Sequence, residues 1–134
     1  MFEIHHTGYI VHNIQNAVEA MKLLNYKIVQ DIIYDEDRNI YICFIKNGNQ
    51  LIELIEPKDE SAVTYKLLAK TGPAPYHICY KVDNIEETCS SLKKEGFFPV
   101  SKIEKASPMG ENCKVIFLYS QTIGLIELVS DNTL

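Results

Sequence analysis

A chain of 134 residues, 46% hydrophobic and 23% charged, has the composition of one ordinary globular domain and not of a disordered segment. Its net charge is −5 and its only arginine is Arg38, so it lacks the basic clusters that nucleic acid requires. No apolar run approaches the roughly 20 residues of a membrane span, and neither a membrane span nor a signal peptide is expected. A cytoplasmic protein acting on a small molecule is expected, without nucleic acid or membrane as partner. Cys43, Cys79, Cys89 and Cys113 show no C-x-x-C pairing and are expected to be reduced core residues.

In chain order, Ile4 to Val11 reads as a strand, with His6, Gly8 and Ile10 on one face and Tyr9 and Val11 on the other. Asn13 fits a helix N-cap. Ile14, Ala17, Val18, Met21 and Leu24 then recur at helical spacing, and Asn25 fits the stop. Three strands follow: Tyr26 to Tyr34, Ile40 to Ile45 and, after the hairpin signal Asn47-Gly-Asn49, Leu51 to Glu56. Residues 58–75 read as a linker, in which Val63, Leu67 and Leu68 mark a short helix. The order then repeats. Tyr76 to Val82 is a strand, Asn84 an N-cap, and Ile85, Thr88, Cys89 and Leu92 a helical stripe stopped by Gly96. Phe97 to about Ile103 reads as a strand and Ser107 to Asn112 as a loop. Lys114 to Tyr119 and Thr122 to Ser130 read as paired strands, with a frayed tail from Asp131. The expectation is a single α+β domain, residues 1–134, of two βαβββ modules: about 1–57 and about 76–131.

Internal repeats organise this reading. His6-Thr-Gly-Tyr-Ile-Val-His-Asn-Ile14 returns as His77-Ile-Cys-Tyr-Lys-Val-Asp-Asn-Ile85, identical at five of nine positions and displaced by 71 residues. Leu51-Ile-Glu-Leu-Ile55 returns as Leu125-Ile-Glu-Leu-Val129, displaced by 74. Each module thus begins on a histidine strand and ends on a glutamate strand. A carboxylate inside an aliphatic strand is costly to bury unless it is paired or binds a metal. An isolated one is commonly a residue facing water, but two in register with two histidines point to a metal site. The repeat selects His6 over His5, which aligns with Tyr76, while His12 aligns with Asp83 and reads as a solvated turn residue. His6, Glu53, His77 and Glu127 are therefore the candidate ligands. Imidazole and carboxylate without thiolate suit one divalent ion such as Zn, Ni, Co, Mn or Fe. Six-coordination would leave two positions for water or substrate oxygens. Such an ion is a Lewis acid toward a carbonyl, and a ligating glutamate is a candidate proton-transfer base.

With these residues in place, the chain resembles the vicinal oxygen chelate (glyoxalase/bleomycin resistance) superfamily over nearly its whole length. Within it, Glu53-Leu-Ile-Glu-Pro57, Lys58-Asp-Glu-Ser61, Tyr76-His-Ile-Cys-Tyr-Lys-Val82 and Gly124-Leu-Ile-Glu-Leu128 are similar to stretches of the methylmalonyl-CoA epimerase family. The resemblance implies a curved mixed sheet around a metal cleft, ligation by His6, Glu53, His77 and Glu127, Glu127 as base, and a homodimer. It implies a divalent-metal-dependent epimerase or isomerase that moves a proton next to a metal-bound carbonyl of an acyl-CoA thioester. The alternative is glyoxalase I (lactoylglutathione lyase), which uses the same ligand set on a glutathione hemithioacetal. A metal-free binding protein of the bleomycin-resistance type is disfavoured by the four intact ligands. One position departs from the family: some epimerases carry a second carboxylate base where this chain has Ile42. Glu36 is only a weak substitute, and Asn112 and Lys114 are expected at the surface.

Overall fold

A computed structural model of the chain describes residues 2–134. It divides into two compact units, His6–Tyr76 and His77–Leu134, the second joined by the first residues through His5. Among the described residues, no helix is long and apolar enough to cross a membrane.

The first unit contains β1 (Glu3–Ile10), α1 (Ile14–Lys22), β2 (Lys27–Asp35), β3 (Ile40–Asn47), β4 (Gln50–Pro57) and α2 (Val63–Thr71). Its strands lie in the order β2-β3-β4-β1, with β4 parallel to β1 and the other pairs antiparallel. A helical crossover permits the parallel pair, and two-residue turns permit hairpins. The β3–β4 hairpin turns at Gly48, whose φ of +56° suits the first central position of a type II′ turn. Strand alternation sends Cys43, Ile45, Ile52 and Leu54 to one face. There they pack with Ile14, Ala17, Val18 and Met21 of α1.

The second unit contains β5 (Ala74–Lys81, its first residues in the other unit), α3 (Ile85–Lys94), β6 (Phe98–Pro99), β7 (Glu104–Lys105), β8 (Lys114–Ser120) and β9 (Gly124–Ser130). Its order is β5-β9-β8-β6, with β7 also on β8. Here β9 is parallel to β5, as β4 is to β1. Tyr80, Val82, Ile116, Leu118, Ile126 and Leu128 pack with Ile85, Cys89 and Leu92 of α3.

The helix ends repeat in atomic detail. Asn13 Oδ1 accepts from the Asn16 N–H (2.8 Å) and Asn84 Oδ1 from the Glu87 N–H (2.9 Å). Both helices stop on a left-handed residue, Asn25 (φ +66°) and Gly96 (φ +93°). The next N–H bonds back, Tyr26 to the Met21 carbonyl and Phe97 to the Leu92 carbonyl, so both ends are Schellman-type caps. The fold is α+β, built from two βαβββ modules.

Five local expectations require correction. The strand from Phe97 to Ile103 is broken into two short pieces, Phe98–Pro99 and Glu104–Lys105, because the Ser101 side chain intervenes in the ladder. Ser101 Oγ accepts the Phe117 N–H at 3.0 Å, where a ladder carbonyl would otherwise lie. Ile78 shares the strand parity of Tyr80 and Val82, which predicts packing on α3, but it is exposed. Leu24 is exposed, because it falls beyond the last turn of α1. Val63 is exposed because the inward stripe of α2 runs through Thr64, Leu67 and Leu68, one residue out of phase.

The tail is the fifth. It is held rather than frayed: the Thr133 N–H bonds the Met109 carbonyl (2.8 Å), and His5 Nε2 lies 2.7 Å from the Leu134 carbonyl oxygen. Met109 is buried in a 3-10 turn, Ser107–Met109, within the expected loop. Gly110, at φ +139°, lets the tail approach, since a Cβ there would lie 3.2 Å from Thr133 N.

The caps give a direct test. Asn13→Ala and Asn84→Ala are each expected to lower unfolding free energy by about 1 kcal/mol in urea titrations, with an unchanged m-value.

Candidate functional site

The strand faces turned away from α1 and α3 carry the polar residues. In the first unit, Glu53 alternates with Ile52 and Leu54, so its carboxylate leaves on the side opposite the helix. Glu56, three residues on, has the other parity and stays with the helix, where Oε1 accepts the Ile14 N–H at 2.9 Å. In the second unit, Glu127 alternates with Ile126 and Leu128 in the same way.

His6 and Glu53 are 1% and 4% exposed, and His77 and Glu127 4% and 1%. The structure brings each histidine to the glutamate of its own unit. His6 Nε2 lies 3.5 Å from Glu53 Oε1, and His77 Nε2 lies 3.0 Å from Glu127 Oε1. The register agrees: Gly8 is the ladder partner of Glu53, and Cys79 that of Glu127. In both pairs Nε2 faces the carboxylate.

The donor set fits a divalent ion. Two neutral imidazoles and two carboxylates balance a dication, and a buried carboxylate is tolerable only when a positive or hydrogen-bonding partner compensates it. All four donors are members of groups competent to hold a metal.

The other candidates lie elsewhere. His12, Glu36 and Asn112 are exposed. Lys114 Nζ is 3.3 Å from Glu86 Oε2, and a hydrogen bond from its own backbone N–H, followed by Lys114, holds the Glu86 carboxyl below its usual range. Ile42 is buried on the same face of β3 as the ladder partner of Glu53, so this strand offers an aliphatic wall and no second base.

Two residues were missed in the sequence. Phe44 is the ladder partner of Glu53, and Phe117 that of Glu127. Each ring packs nearly perpendicular to the imidazole of its unit, at 5.6 Å and 84° for His6–Phe44 and 5.1 Å and 89° for His77–Phe117. The signal was present: Ile-Cys-Phe-Ile and Val-Ile-Phe-Leu place a phenylalanine among aliphatics in the strand before each glutamate strand.

All four cysteines are buried and none forms a disulfide. Burial, and to a lesser extent the charge of Asp31, pushes the Cys43 thiol up to about 11. At about pH 8 it is therefore protonated and a poor nucleophile. The native protein is expected to resist an aromatic disulfide reagent and to release four thiols per chain only in denaturant, read by absorbance.

A family model for the glyoxalase/bleomycin resistance protein/dioxygenase superfamily matches residues 5–117. The mitochondrial methylmalonyl-CoA epimerase of Mus musculus is 26% identical over 128 residues, covering 93% of this chain and 71% of that protein. The crystal structure of methylmalonyl-CoA epimerase from Mycobacterium tuberculosis is 25% identical, covers 95% of this chain and 86% of its own, and superimposes with a TM-score of 0.82. A hypothetical protein from Bacillus halodurans, 23% identical, covers 99% and 96% with a TM-score of 0.87 and speaks to the fold alone.

Proposed function

The chain belongs to the glyoxalase/bleomycin resistance protein/dioxygenase superfamily, and from that membership we propose that it is a metal-dependent epimerase acting on an acyl-CoA thioester of the methylmalonyl-CoA kind. The observation that carries the reading is the pair of buried His–Glu contacts, built the same way in both units. The epimerases among its relatives supply the reaction class.

His6, Glu53, His77 and Glu127 are the residues that would hold a divalent ion. When bound, such an ion supplies Lewis acidity that stabilises negative charge developing on a carbonyl oxygen. The rest is the work of this chain. Glu127 is the proposed base: a carboxylate oxygen takes the proton from the carbon between thioester and carboxylate, and a proton delivered to the opposite face of that carbon completes the epimerisation. His77 Nε2 lies 3.0 Å from Glu127 Oε1, so the two donors would approach the ion from adjoining positions. Aliphatic residues of the same strands, Ile42 and Ile55 in one unit and Val115 and Val129 in the other, are buried and exclude water from the donors.

Ile42 favours a second reading. Epimerisation through two bases needs a protic group on each side of the substrate carbon, and β3 supplies none there. An isomerisation that removes and returns the proton with one carboxylate has no such need. That is the glyoxalase I reading, with a glutathione hemithioacetal as substrate.

Metal content and isotope exchange decide between the readings. The purified chain, loaded with Zn, Ni, Co, Mn or Fe, is expected to retain one ion per chain and to incorporate deuterium at the α-carbon of methylmalonyl-CoA in heavy water. Turnover of methylglyoxal with glutathione, without exchange into the thioester, would establish the alternative. A chain that retains no divalent ion and turns over neither substrate would refute both in favour of a binding protein. Glu127→Gln is expected to slow exchange by about 100-fold or more under either enzymatic reading.

A further inference from the structure

The ladder that carries each glutamate also carries a ring, and the two rings are placed alike. Phe44 stands opposite Glu53 and Phe117 opposite Glu127. Neither belongs to the cluster that packs on the helix of its unit. Both meet an imidazole close to perpendicular, in the edge-to-face geometry favoured by the aromatic quadrupole.

The outer strand departs from regular pairing opposite both rings. Gln30 pairs with Phe44 at a register shift of β2. Ser101 Oγ takes the Phe117 N–H in the gap between β6 and β7. Gln30 and Ser101 are themselves 71 residues apart, the spacing of His6 and His77. A ring whose only task was to fill volume would need neither this orientation nor this repeated surrounding.

A strand fixes where a histidine's Cβ sits, but not the plane of its ring, because the terminal torsion of His is broad and roughly two-fold. Both structural pairs nevertheless present Nε2 to the carboxylate. We propose that Phe44 and Phe117 are positioning residues: each holds the imidazole of its unit in one plane, with Nε2 facing the glutamate, and so sets the affinity of the His–Glu pair for a divalent cation. The proposal rests on the reading of the four residues as ligands. A ligand ordered in advance loses little freedom when the cation arrives, and a ring free to turn must be ordered at that moment.

Leucine fills nearly the volume of phenylalanine but has no flat face, and tyrosine restores the face. Phe44→Leu and Phe117→Leu are each expected to weaken Co²⁺ binding by about 10-fold, measured by chelator competition and by the visible absorption of Co²⁺, and the double variant by about 100-fold. Phe44→Tyr and Phe117→Tyr are expected to stay near the unaltered affinity. Ile116→Val, on the helix-facing side of β8, is expected to lower the urea midpoint and leave Co²⁺ affinity unchanged.

A second measurement needs no metal. Long-range ¹H–¹⁵N spectra of the metal-free protein are expected to show single, ordered tautomers for His6 and His77, and averaging of His6 in Phe44→Leu and of His77 in Phe117→Leu. Leucine variants that keep both the ring order and the Co²⁺ affinity would overturn the proposal. So would an affinity loss that merely tracks the loss of fold in urea. An unaltered chain that takes up no Co²⁺ defeats the ligand reading, and the ring order of the metal-free variants then decides the role of the phenylalanines by itself.

Discussion

The structure turns on burying a carboxylate in an aliphatic strand. Glu53 and Glu127 sit among leucines and isoleucines, almost without contact with water. An isolated buried carboxylate costs many kcal/mol and instead takes up a proton or finds a partner. Here each one faces an imidazole nitrogen of its own unit. That arrangement commits the rest of each module: the glutamate strand must lie beside the histidine strand, and the helix must cover the opposite face.

Parity makes this possible with little sequence. In β4, Glu53 and Glu56 differ by an odd number of positions and so leave on opposite faces. One carboxylate meets a histidine and the other the N-terminus of α1. The same side-chain chemistry faces a buried imidazole in one place and caps a helix in the other. A one-residue slip of β4 would exchange the two faces, which is why the register is specified so strongly by Ile52 and Leu54 against α1.

The two modules share architecture more closely than sequence. Both helices open on an asparagine and close on a left-handed residue followed by a packed aromatic. They differ at their outer strands. β2 runs continuously through its irregularity, whereas the equivalent stretch of the second unit is cut at Ser101 into two short strands. The inner strands, which carry the histidines and glutamates, keep the repeat, and the outer strands diverge.

The sequence by itself determined what depends on spacing: the strand–helix alternation, the caps at Asn13 and Asn84, the stops at Asn25 and Gly96, and the register of His and Glu in the repeat. These follow from neighbours a few residues apart, or from a pattern written twice, and need no knowledge of distant contacts. Tertiary structure decided what depends on which surface an element meets. Val63 and Ile78 have the spacing of core residues but no helix or strand over them, and the tail has no local signal yet is tied to Met109 and His5. Phe44 and Phe117 lie among aliphatic residues of their strands. Their perpendicular contact with His6 and His77 emerges only once the strands are paired, because cross-strand neighbours are chosen by register and not by distance along the chain.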